Sequence, residues 1–205
     1  MTNPVHQAIQ HRRTTQLFDP LRGLDDAQIR ELVQLATLAP SSFNLQNWRF
    51  IAVRSQAAKE RLRPLAWNQA KITEAAVTFI VCGQLASHEV MAARLAPSVA
   101  AGFMPGEMVA GWEGAAKSLY HEQPQRQRDE AVRSATLGAA TLIHAAQGAG
   151  LGAAPMIGFD ADAVASAFGL KADEIPVLLL AVGHAAPGNW PQKPRRPLDE
   201  VLDLV

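Results

Sequence analysis

The run Ala76-Val77-Thr78-Phe79-Ile80-Val81-Cys82-Gly83 most limits what this chain can fold into. It has the length of a strand and is continuously apolar, without polar alternation. A strand of that kind has no face to turn toward water, so it predicts a central strand covered on both sides. Val177 to Val182 reads as a second buried strand. Shorter strands are expected at Trp48–Val53 and Leu151–Pro155.

Helices must supply the cover. Asn3-Pro4 is an N-cap followed by proline at the first helical position, which predicts a short helix to about His11. Asp25 with Gln28 three residues later has the form of a capping box. The stripe Ile29, Leu32, Val33, Leu35 and Ala36 then predicts a helix ending near Pro40. Ser55 caps a helix to about Arg63, Asp160 caps another, and a long helix is expected over residues 126–149. Residues 84–125 mix glycines, prolines and scattered aromatics, and predict one or two helices with mobile joints. The tail from Pro187 to Pro197 holds four prolines and must be extended. Strands separated by helices place the chain among α/β or α+β layered folds.

Composition narrows the function. In 205 residues, 19 Lys+Arg balance 19 Asp+Glu, so the basic surplus typical of a nucleic-acid binder is missing. The length predicts one domain over 1–205. Cys82 is the only cysteine, and the six histidines show no ligand spacing, so no metal site is expected. The start Met1-Thr2-Asn3-Pro4 shows no apolar leader, and no window approaches the ~18 apolar residues of a membrane span. A cytoplasmic protein without membrane or nucleic-acid partners is the expectation.

Five segments could bind a ligand. Arg12-Arg13-Thr14-Thr15 sets two guanidiniums beside two hydroxyls, a set that suits a phosphate or a carbonyl-rich ring edge. Pro40-Ser41-Ser42-Phe43-Asn44-Leu45-Gln46-Asn47-Trp48 is unusually rich in hydroxyl and amide groups for a turn. Asn68 and Lys71 stand just before the buried strand, where a lysine could stabilise a developing anion. Gly150-Leu151-Gly152 is not a dinucleotide fingerprint, because the glycines follow a helix instead of linking strand to helix. The stretch Pro155-Met156-Ile157-Gly158 instead leaves a strand with backbone N–H groups to offer. Lys193-Pro194-Arg195-Arg196 is the densest positive cluster, and alternation in an extended chain puts Lys193 and Arg195 on one side. Taken alone, the arginine pair reads first as a solvated turn and Lys71 as an exposed helix end, while the tail reads as readily as a solvated basic segment. Together they offer many binding groups and few acid–base groups, the profile of an enzyme whose cofactor carries the chemistry.

Taken in order, these segments resemble the nitroreductase family of flavin enzymes over residues 5–205, apart from 84–125. The resemblance implies an α+β fold with a mixed, mainly antiparallel sheet flanked by helices. It further implies an intertwined homodimer that binds FMN at its interface and takes hydride from NADPH or NADH. Hydride would pass through flavin N5 to nitroaromatic, quinone or similar acceptors in a ping-pong cycle. A specialised dehydrogenase, an enal or azo reductase, and a non-catalytic flavin-binding dimer are the alternatives.

By the same resemblance, Arg12, Arg13 and Thr14 contact the phosphate and flavin edge, and Lys193 and Arg195 hold the phosphate. Pro40, Ser41, Ser42 and Asn44 reach the flavin of the partner subunit. Asn68 bonds the pyrimidine edge, and Lys71 lies near N1 and O2. Gln16 stands where some members carry a lysine. The stretch Pro155, Met156, Ile157 and Gly158 binds the cofactor, with the backbone N–H near Ile157 and Gly158 facing N5. Residues 84–125 form a variable cover in which Phe103, Met104, Met108, Trp112 and Tyr120 are either substrate contacts or core. Two positions depart from the pattern: Asn47 replaces the usual proline, and Ile157 replaces a residue that is often acidic. The helix at 134–149 is where the dimer is expected to close.

Overall fold

In the computed structural model, which describes residues 3–205, the apolar run becomes β2 (Val77–Gln84) in the middle of a four-stranded sheet. The reading of Met1 and Thr2 lies outside the described residues. The sheet order is β1 (Trp48–Val53), β2, β4 (Glu174–Gly183) and β3 (Gly152–Met156), and neighbouring strands are antiparallel. The expected mixed character is confined to one bridge, where Thr14 pairs in parallel with Ala153.

Alternation along β2 sends its side chains into two cores. Val77, Phe79 and Val81 join Leu180 and Val182 of β4 beneath α2 (Asp26–Ala36) and α7 (Pro124–Gly148). Ile80 and Cys82 join Leu179 and Ala181 on the opposite face, under α3 (Gln56–Leu65), α4 (Lys71–Glu74) and α8 (Ala161–Ala167). Full burial of a side chain the size of Phe79 contributes about 1.5–3 kcal/mol, and every residue from Val77 to Cys82 is fully buried.

The expected caps are present. Asn3 accepts from the Val5 N–H ahead of α1 (Pro4–His11), and Asp25 and Gln28 close a reciprocal box. Ser55 and Asp160 cap α3 and α8. Several boundaries differ from expectation, the second helix ending at Ala36 rather than near Pro40 and β3 running one residue later among them. The long helix begins earlier, at Pro124, where a first-turn proline loses no helical hydrogen bond. β4 begins at Glu174 rather than Val177, because a register shift opposite Val81 and Cys82 accommodates Pro176. Proline is tolerated in a central strand only at such an irregularity.

Residues 84–125 resolve into a 3-10 turn (His88–Val90), α5 (Met91–Ala100) and α6 (Met108–Tyr120), joined around Gly102 with φ +71°. They pack a small core of their own from Met91, Leu95, Ala116 and Tyr120 with Leu45. Below the sheet, Lys59 is buried and donates to the Ala75 carbonyl at the end of α4. Burial pulls its ammonium pKa below the usual lysine range.

Helix and sheet approach closely at Gly83. A Cβ there would stand 2.4 Å from the Ala131 carbonyl oxygen of α7, and a backbone atom cannot swing aside. Gly83→Ala is therefore expected to lower the unfolding free energy by about 2–3 kcal/mol, read as a fall in the urea midpoint. Gly23→Ala, whose Cβ would meet nothing within 4 Å, should leave that midpoint nearly unmoved.

Candidate functional site

The first part of the site is a cationic cleft. Arg12, Arg13, Thr14 and Gln16 face Trp190, Lys193 and Arg195 across a space of about 100 Å³. No carboxylate lines it, so four formal positive charges converge in a chain of zero net charge. The N-terminal wall is fixed to the sheet, since Thr15 N–H donates to the Ala153 carbonyl at 3.0 Å. The C-terminal wall is fixed by Asn189. Its Oδ1 accepts from the N–H groups of Gln16 (2.6 Å) and Leu17 (3.0 Å), and its Nδ2 donates to the carbonyls of Leu17 and Ala186 (both 2.8 Å). Lys193 Nζ lies 5.6 Å from the Trp190 ring centroid, and Arg195 donates to the Lys193 carbonyl.

Lys71 leads from this cleft to a second group. Its Nζ donates to Gln16 Oε1 at 3.3 Å, and partial burial lowers its pKa from the ordinary lysine value. Asn68, three residues earlier, is exposed and left-handed with φ +53°, as is Trp67 with φ +52°. Gln69 donates to the Gly158 carbonyl at 3.0 Å. Pro155 is exposed, tolerated because β3 is an edge strand, and Met156 turns into the core. The paired register of β3 ends at Met156, so the N–H groups of Ile157 and Gly158 lie beyond the ladder, with Ile157 84% exposed.

Pro40, Ser41, Ser42 and Asn44 belong to a third group. Pro40 and Asn44 are exposed. Phe43, Asn44 and Gln46 are all left-handed, a conformation that side chains other than glycine rarely adopt. Hydrogen bonds hold the loop: Gln46 N–H donates to Ser41 Oγ, and Ser42 Oγ shares a 2.9 Å bond with the Tyr120 hydroxyl. Tyr120 in turn meets Glu130, which binds Ser134 and Arg133. Tyr120 is thus a buried core and network residue in this chain, the second of its two expected roles, and burial raises its pKa. Phe103, Met104, Met108 and Trp112 instead line an open groove of about 270 Å³ with Asn44.

The two departures also have physical accounts. Asn47 is buried and donates to the Gln84 carbonyl, while Gln84 N–H returns a bond to the Asn47 carbonyl. Paired hydrogen bonds thereby hold the loop exit where a proline ring would stiffen it, although Asn47 Oδ1 is left buried without a partner. Ile157 offers only backbone, since its side chain points to solvent. Cys82 stays an inert core residue: burial, then the nearby Glu174 carboxylate, push its thiol up to about 12.

Asn189, Trp190, Trp67 and Gln69 were not foreseen from sequence. The two left-handed residues at 67 and 68 carry no glycine to announce them, and a lone Asn in a proline-rich tail is no signal without its distant partners. Asn189→Ala removes four hydrogen bonds to backbone, each worth about 1 kcal/mol, among them the two its Oδ1 accepts from the Gln16 and Leu17 amides. The Gln16 and Leu17 amides should then exchange with solvent about tenfold faster or more. Asn189→Asp, which keeps the acceptor, should retain most of the protection. Hydrogen-exchange mass spectrometry over residues 12–18 reads both.

Comparison with known proteins identifies the family to which this fold belongs. The family model described as the nitroreductase family matches residues 9–184. Protein DrgA of Synechocystis is 35% identical, with 97% of this chain and 94% of that protein covered. The NADH dehydrogenase of Thermus thermophilus is 31% identical over 85% of this chain and 83% of its own. A protein from Exiguobacterium sibiricum, named as a nitroreductase and solved in complex with FMN, superposes with a TM-score of 0.91. It is 27% identical, with 100% of this chain and 99% of that chain covered. The chain belongs to the nitroreductase family, whose oxidoreductase fold it shares from the N-terminal arginines to the sheet's last strand.

Proposed function

We propose that this chain is the protomer of an FMN-dependent NAD(P)H oxidoreductase that reduces nitroaromatics, quinones or similar electrophiles. One observation carries the reading: β3 joins a carboxylate-free cationic cleft at its start to backbone N–H groups that lie beyond the strand ladder at its end, with Lys71 linked between them through Gln16. The donor set fits FMN. Arg12, Arg13, Lys193 and Arg195 would hold a phosphate dianion by charge-assisted hydrogen bonds, and Thr14 would add a hydroxyl. Asn68 would meet the polar ring edge, and the 157–158 peptide the ring's central nitrogen. The chemistry FMN supplies when bound is hydride transfer from nicotinamide to an acceptor, in two half-reactions that share one ring face.

The chain's own residues set the conditions. Lys71 carries a positive charge, half-desolvated, to where negative charge would develop. The cleft fixes the ligand's far end, so that binding energy from a remote group orients the reacting one. The site groups described include no buried acid or base aimed at the ring position, and water is the proton source in this reading.

A homodimer belongs to the same reading. α1 buries no residue and exposes Val5 and Ile9, α7 exposes Leu137, and the tail exposes Leu198, Val201, Leu202, Leu204 and Val205. Surface of this kind is better covered than wet. A twin would bring its Ser41–Asn44 loop and apolar groove to this chain's ring end, which supports a flat, apolar acceptor.

The purified protein should be yellow, or become so on adding FMN, and should oxidise NADH or NADPH with a quinone. Loss of a charge-assisted bond costs about 1.5–3 kcal/mol, so Lys193→Ala and Arg195→Ala should each weaken FMN binding by tenfold or more. A protein that stays colourless with added FMN overturns the reading. Bound FMN without nicotinamide oxidation would make it a flavin-binding dimer instead.

A further inference from the structure

Gly158 has no room for a side chain, and the obstacle is one residue. A Cβ built there would stand 2.6 Å from Cε3 and 2.7 Å from Cζ3 of Trp67. The Trp67 indole therefore lies directly on the Gly158 backbone. It does so although the residue is 74% exposed and left-handed, followed by a second left-handed residue, Asn68. A large apolar ring held in solvent on an unfavourable backbone is not explained by core packing. The turn is fixed from behind, where Arg63 Nε donates to the Asn68 carbonyl and Asn68 N–H donates to the Arg63 carbonyl. From the same turn, Gln69 Nε2 donates to the Gly158 carbonyl. Trp67 and Gln69, two residues apart in this turn, thus both engage Gly158.

We propose that Trp67 and Gln69 are positioning residues that clamp the backbone at Gly158, so that the Ile157 and Gly158 N–H groups hold a fixed direction toward the flavin ring. The indole blocks the Gly158 backbone from rising off the sheet end, and the Gln69 amide holds the Gly158 carbonyl, the far side of the same residue. Asn68, carried by the same turn, is set in register with that backbone. Trp67 acts here through Gly158 and not by contact with substrate. The inference rests on the flavin reading above.

The test uses full-length protein loaded with FMN and measures the FMN dissociation constant and the midpoint potential of the bound flavin. Wild-type protein that takes up no FMN overturns the flavin reading, and the clamp's purpose with it. Given uptake, Gly158→Ala should weaken FMN at least tenfold in the wild-type background but no more than about threefold in a Trp67→Ala background, where the new methyl has space. Trp67→Ala alone should raise the midpoint potential, because an N–H aimed at an acceptor nitrogen favours the oxidised ring. Trp67→Phe, which keeps a flat ring, should restore most of the wild-type potential. Equal Gly158→Ala penalties in both backgrounds, or a Trp67→Ala potential matching wild type, would overturn the clamp while leaving FMN binding intact.

Discussion

Burial of β2 on both faces is the constraint from which the rest follows. Six consecutive residues without exposed surface need a paired strand on each edge and a helical layer above and below. β1 and β4 supply the edges. Small residues supply the layers, since Gly83, Ala131, Ala135 and Ala139 let α7 lie on the sheet with little side chain between. Close packing of that kind has no slack, and it fixes where the flanking loops emerge. The turn before β2 and the turn after β3 are both set by this one layer, and so is their meeting at Gly158.

Electrostatics enters as a matter of distribution. A zero sum says nothing of where charge collects, and here four cations from the two ends of the chain share one small cleft. Like charges so placed repel, and the fold holds them by neutral means. Backbone pairing of Thr14 and Thr15 with Ala153 secures one wall, and the four hydrogen bonds of Asn189 secure the other. A preassembled cluster of that kind favours an anion over solvent because its ordering cost is met during folding.

Much of the scaffold could be read from sequence, for reasons that differ by element. The strands were legible because uninterrupted apolar runs admit few alternatives, and the helix starts because caps are local chemistry between residues two or three apart. The cleft residues were legible as charges in odd places, and their gathering was expected only through family resemblance. What stayed hidden depends on distant partners or on φ. Asn189 bonds residues 172 and 173 positions away. Trp67, Asn68, Phe43, Asn44 and Gln46 take left-handed backbone without a glycine to mark it. Tyr120 looked as much like a surface aromatic as a core one until its hydroxyl found Ser42 and Glu130.

The shortest strand has a role beyond pairing. Thr15 packs against Gly152 at the first residue of β3, where an added Cβ would fall 2.3 Å from its hydroxyl, and the clamped backbone begins at Ile157, just past the last. Five residue steps of extended chain span about 17 Å. In the flavin reading proposed above, β3 would act as a ruler between the cationic cleft and the backbone at 157–158. One residue inserted into it would lengthen the gap by about 3.4 Å and turn every following side chain to the opposite face. Substitution of a side chain in such a strand keeps the spacing, whereas a change of its length does not.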